Sequence, residues 1–132
     1  MSDGISAGAA PARTEGTGHM PRYILSYRTA KSYGAPASPD DVALWTTFLN
    51  EHIEPHVVDP GYPVREASRV LGETGESTRI VGYSIVTADD FEAALRIAEH
   101  CPTLRQGGGV EVGALVLPPP EHPLEQIRSR PS

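Results

Sequence analysis

The sequence predicts an α+β protein in which a four-stranded antiparallel sheet carries two helices on one face. Three observations lead there: two capped amphipathic segments, apolar β-branched runs on either side of them, and Gly and Pro clusters between the runs. The clearest stretch is residues 82–117, GYSIVTADDFEAALRIAEHCPTLRQGGGVEVGALVL, which reads as strand, helix, glycine turn and strand.

Residues 1–19 are rich in Gly, Ala, Ser and Thr and carry almost no large apolar side chain, so burial cannot offset the entropy of ordering them. A disordered tail is expected there. Folding begins near Met20, and residues 22–28 (RYILSYR) alternate Tyr23, Leu25 and Tyr27 against Ile24 and Ser26, as a covered strand requires. Residues 31–37 form a loop. Ser38, Pro39 and Asp41 open a helix, because proline suits the first helical position and the serine and aspartate can cap reciprocally. Val42, Trp45, Phe48, Leu49 and Ile53 then share one side. Pro55 is expected to end this helix near Glu54, since the residue before a proline is pushed out of the α region. Residues 56–63 (HVVDPGYP) read as a loop, residues 67–71 as a short second strand, and 72–77 as a turn leading to a third strand from Thr78.

In the third strand Tyr83, Ile85 and Val86 belong to an apolar run, and Thr87 stands three residues before Asp90 in a capping pattern. Asp89, Asp90 and Glu92 place negative charge at the positive end of the next helix, whose stripe is Phe91, Ala94, Leu95 and Ala98. Pro102 ends it. Gly107, Gly108 and Gly109 make a turn, and residues 110–117 form the last strand with Val110, Val112, Ala114 and Val116 on one face. Residues 118–132 are proline-rich and expected to be extended. The order is βαββαβ, the ferredoxin-like arrangement, over residues 20–118, flanked by tails at 1–19 and 119–132. Strands one, three and four carry apolar residues on both faces, so a lone protomer would leave an apolar sheet surface in water; a homodimer, closing as a dimeric α+β barrel, would cover it.

Composition narrows the function. The 132 residues carry a net charge of −6, with no cluster of Lys and Arg for phosphates, so no nucleic-acid partner is expected. One cysteine excludes an internal disulfide framework, and no apolar run approaches the roughly 20 residues a membrane helix needs. The N-terminal segment lacks the apolar core of a secretory signal, so a cytoplasmic, membrane-free protein is expected.

The order of elements, and above all GYSIVTADDFEAALRIAEHCP followed by GGGVEVGALV, resembles the YCII-related family of dimeric α+β barrel type, over residues 20–118. MPRYILSYR is similar to its opening strand, Trp45 to its first-helix aromatic, and VVDPGYPV to the loop after that helix. The Asp-Gly-Pro-Phe signature of one branch is absent, residues 75–81 standing in its place. The resemblance implies a homodimer and a small-molecule enzyme, such as a lyase or dehalogenating enzyme on ring compounds, with a His and Asp pair in a cleft.

Read from the residues alone, the polar candidates gather after the first helix. His52 and His56 are four apart and would stack for a metal on an unbroken helix, but Pro55 lies between them and no acidic third ligand is placed, so no metal site is expected. His56 could act as a general base oriented by Asp59; alternatively Asp59 caps the turn and His56 is solvated. Arg28, Ser26, Tyr27 and Tyr83, on central strands, could orient a small ligand in an apolar cavity, with Arg28 as an anion anchor and His52 beside it. Glu111 could pair with Arg28. Cys101 directly follows His100, which suits packing better than a nucleophile and base, and the glycines at 107–109 precede a strand, so they make no phosphate cradle. Two functions remain: a cofactor-free lyase or isomerase on a small cyclic or carbonyl compound, using His56 and Asp59, and a non-catalytic dimeric small-ligand-binding or accessory module.

Overall fold

The structure, a computed structural model, describes residues 20–31, 38–64, 68–73 and 77–130. Its elements are strand β1 (Arg22–Ala30), helix α1 (Pro39–Phe48), strand β2 (Val57–Asp59), strand β3 (Thr78–Thr87), helix α2 (Phe91–Ala98), strand β4 (Gly109–Leu115) and helix α3 (Pro123–Arg128). One sheet of order β2-β3-β1-β4, antiparallel at each pairing, gives an α+β architecture compatible with the ferredoxin-like arrangement. The tail expected over residues 1–19 lies outside the described residues.

Both helix starts follow from side-chain chemistry. Asp41 N donates to Ser38 Oγ at 3.1 Å and Ser38 N donates back to Asp41 Oδ2 at 3.3 Å, the reciprocal cap expected. At α2 the capping residue is Asp90, not Thr87: Asp90 Oδ1 accepts from Ala93 N at 2.8 Å. The Thr87 hydroxyl instead donates to His56 O at 3.4 Å, joining β3 to the end of the first helical segment.

That segment does not run on as one helix to Glu54. After Phe48 it widens into a π turn over Leu49–Ile53, closed by Glu54 N donating to Leu49 O, then tightens into a 3-10 turn over Glu54–His56 that contains Pro55. The chain then enters β2 at once. The second strand is thus Val57–Asp59, inside the stretch expected to be a loop; residues 68–71 form no strand, and residues 65–67 lie outside the described residues. The cause is partner availability: β3 offers Val86 and Ile85 to Val57 and Asp59, whereas no strand among the described residues pairs with residues 68–71.

The core lies between the sheet and the two helices. Tyr23, Leu25 and Tyr27 from β1, Val86 from β3, Phe48 and Ile53 from the first helical segment, and Ala94, Ile97 and Ala98 from α2 are all buried. The α2 stripe is therefore shifted from the expected one, with Ile97 inside and Phe91 and Leu95 at the rim. Val110 and Val112 pack on this core as expected, whereas Val116 is past the end of β4 and 83% exposed. Within the expected extended tail, Pro123–Arg128 coils into a short helix whose His122 Nδ1 accepts from Leu124 N at 3.0 Å.

The glycines of the turn before β4 have different duties. Gly107 adopts φ +74°, and a Cβ on Gly108 would lie 1.9 Å from Arg28 O, so β1 and the turn approach to backbone distance only because Gly108 has no side chain. Gly109 meets nothing within 4 Å. Gly108→Ala should therefore destabilise the fold by about 3 kcal/mol, the upper end for overpacking, because rigid backbone must part. Gly109→Ala should change stability by no more than about 1 kcal/mol. Urea unfolding of the two variants beside the parent measures the contrast.

Candidate functional site

A cavity of about 770 Å³ opens between the first helical segment and the sheet. Its walls are mostly apolar: Trp45, Leu49 and Ile53 from the helical side, Val81 from β3, and Val57 and Pro60 from β2 and the chain after it. The π turn supplies part of its wall. Leu49 and Ile53, at the two ends of that turn, both line the cavity.

The segment after β2 closes one side. Asp59 Oδ1 accepts from Gly61 N at 2.9 Å, a short Asx turn, and Val64 N donates to Val81 O at 2.8 Å. Gly61 sits at φ +79°, where a Cβ would fall 1.7 Å from Tyr83 O, so the segment can lie flat across β3 only with glycine there. Tyr62, 73% exposed, stands at the mouth.

Inside, Tyr27 is the central side chain. Its hydroxyl donates to Ser84 Oγ at 2.7 Å, and Ser84 in turn donates to Pro60 O at 2.8 Å, tying the two central strands to the cavity wall. The ring packs edge-on against Trp45 and Phe48, with centroids 5.1 and 5.9 Å away. Burial raises the Tyr27 pKa far above the ordinary tyrosine value, outweighing the opposing hydrogen bond to Ser84, so the hydroxyl stays a donor.

The other anticipated residues are dispersed. His56 is exposed on the 3-10 turn; among the described residues no hydrogen bond joins it to Asp59, whose carboxylate holds Gly61, and neither borders the cavity. His52 is half-buried and stacks not on His56 but on His100, ring centroids 3.8 Å apart and planes within 6°. Arg28 lies on the opposite, open face of the sheet, donating through Nε to Thr78 Oγ1 at 2.8 Å and through Nη2 to Thr78 O at 3.1 Å. Glu111 is exposed, and no ion pair with Arg28 occurs among the described residues. Tyr83 pairs with Ser26 on the open face and borders the cavity where Gly61 crosses it. Among the described residues no group of three His, Cys, Asp or Glu side chains is placed to share a metal ion.

Cys101 is packed. Thr103 Oγ1 donates to Gly109 O at 2.8 Å, which spends its only proton, so the thiol is the donor in the 3.1 Å contact between Cys101 Sγ and Thr103 Oγ1. Burial pushes the thiol pKa up, against the form that attacks.

One cavity residue has no place in the sequence reading. Arg79 borders the cavity, and its Nη1 is closed off from solvent without a hydrogen-bond partner among the described residues. Counting alternate residues back from Ser84 and Gly82 would send Arg79 to the open face. The register shows why it does not: Tyr27 pairs with Gly82 but Arg28 pairs with Ile80, so Val81 is an extra residue and the alternation inverts beyond it. Arg79 then faces Thr29, which is buried on the helix side. The one hint in the sequence is Gly82 itself, an isolated glycine in a strand pattern.

No protein-family model matches the chain, and no curated protein matches it. No helix among the described residues is long and apolar enough to cross a membrane.

The raised pKa of Tyr27 gives a prediction with a definite sign. Folded Tyr27 keeps its proton where the unfolded chain has begun to lose it, so its contribution to stability is whole below 10.0, the ordinary tyrosine value, and is lost as pH rises beyond that. Tyr27→Phe should cost about 1 kcal/mol at neutral pH and flatten the alkaline fall, read from denaturant midpoints on either side of that pH.

Proposed function

We propose that this protein binds a small, largely apolar molecule in the cavity between its first helical segment and its sheet. The observation that carries this is the cavity itself, walled by Trp45, Leu49, Ile53 and Val81 and furnished with few polar groups, the composition of sites that enclose small ligands. Of the two readings the sequence left open, the binding module has more support. Turnover by His56 with Asp59 would require both groups at the ligand, yet neither borders the cavity, Asp59 accepting from Gly61 N and His56 being exposed.

The proposed form is the homodimer of the YCII-related, ferredoxin-like βαββαβ type. Its support is the strand order β2-β3-β1-β4 and an open sheet face carrying Ile24, Ile85 and Leu115, the last 41% exposed. Pairing two such faces removes apolar surface from water.

A thermal-shift screen of small cyclic compounds tests the binding role. A true ligand should stabilise the protein by about 2.7 kcal/mol at a hundredfold excess over Kd. Val57→Trp, at a half-exposed cavity wall, should leave the unliganded melting temperature nearly unchanged and abolish the ligand-induced rise. His56→Ala should leave that rise intact; its loss would restore the histidine to the site. For the dimer, light scattering should give twice the protomer mass, and Ile85→Lys should give the protomer.

A further inference from the structure

Arg79, half-buried with its Nη1 closed off from solvent, says more about the ligand such a cavity would take than the cavity's shape does. A buried, unpaired donor on a charged group is costly, because nothing replaces the water it has lost. Among the described residues no hydrogen bond reaches Arg79 Nη1 and no ion pair involves Arg79. The β-bulge that turns this side chain into the cavity also makes it unavailable to the Thr78 and Arg28 network on the other face.

The acidic groups on the same wall are not its partners. Asp41 also borders the cavity, but its carboxylate is held by Ser38 N at Oδ2 and by Gln106 Nε2, 3.4 Å away, at Oδ1. Glu54, the other carboxylate at the cavity, is exposed on the 3-10 turn. Neighbouring Tyr27 and Ser84 are already joined to each other and to Pro60. A guanidinium whose Nη1 has no acceptor among the described residues, set at the edge of an apolar chamber, is suited to a planar anion on an apolar body.

We infer that the ligand is a small carboxylic acid, bound as its carboxylate, with the carboxylate on Arg79 and the hydrocarbon part against Trp45, Leu49 and Ile53. This rests on the cavity being the ligand site and names the ligand's chemical class. A monoanion is favoured over a phosphate dianion because Arg79 is the one cation at the cavity among the described residues and two carboxylates share its wall. Arg79 is then the specificity-determining residue, binding the head group while the apolar wall binds the rest.

Trp45, the chain's single tryptophan, borders the cavity, so its emission reports occupancy directly. The experiment titrates the full-length protein with matched acids and amides, phenylacetate against phenylacetamide and octanoate against octanamide, following Trp45 fluorescence and melting temperature together. The acids should bind about ten-fold or more tighter than their amides, the usual scale for a hydrogen bond to a charged group. Arg79→Met should erase that preference while retaining amide binding, and Arg79→Lys, which keeps the charge but not the fork, should keep only part of it. In the parent protein the Arg79 guanidinium resonances should move with phenylacetate and not with its amide, a readout that needs no variant to fold. Equal binding of acid and amide, or unmoved guanidinium resonances on acid binding, would overturn the carboxylate while leaving the cavity as a ligand site. Tighter binding of phenyl phosphate than of phenylacetate would overturn the choice of a monoanion. If no probe of either kind alters Trp45 emission or melting at millimolar concentration, the binding role falls and this inference with it.

Discussion

The arrangement of this protein turns on one extra residue in β3. Val81 has no partner of its own between the pairs Tyr27 with Gly82 and Arg28 with Ile80, and the slip inverts the facing of everything before it in the strand. Without it, Ile80 would enter the helix side and Arg79 would lie in the open. With it, the hydrocarbon goes out and the cation goes in, against the ordinary preference for burial. Such an inversion persists only where something offsets its cost, which is the physical reason for associating this part of the cavity with binding.

Around that slip the backbone is fitted by side chains that are missing as much as by those present. Gly82 lies under the ring of Tyr27, Gly61 lies on Tyr83 O, and Gly108 lies on Arg28 O, so three close approaches hold the cavity wall, β3 and the final turn against the central strands. Tyr27 joins the pieces. Its ring makes an aromatic cluster with Trp45 and Phe48, and its hydroxyl reaches through Ser84 to the segment that closes the cavity. The same residue thus serves the core and the site, and changes at either should be felt at the other.

The helical side shows a matching irregularity. The π turn at Leu49–Ile53 and the 3-10 turn at Glu54–His56 are departures in opposite directions, one wider and one tighter than an α-helix. Between them they separate His52 from His56, sending the first to stack on His100 and the second to solvent. Two histidines that a regular helix would stack are thereby given unrelated surroundings.

The chain by itself determined what depends on near neighbours. The reciprocal cap of Ser38 and Asp41, the alternation of Tyr23, Leu25 and Tyr27, and the glycine turn ahead of β4 are written in spacings of a few residues, and each is present. Cys101 is buried, although α2 already ends at Ala98 and Pro102 opens a 3-10 turn instead of ending the helix, and Asp59 closes its own turn as a local reading allows. Tertiary structure alone decided the rest. Val57 became a strand because β3 stood ready to pair with it, Phe91 moved to the rim because Ile97 reached the core, and Arg79 entered the cavity because of a register slip set between two strands some fifty residues apart. Pairing register is a property of two segments at once, so no pattern confined to one of them could reveal which arginine borders the cavity.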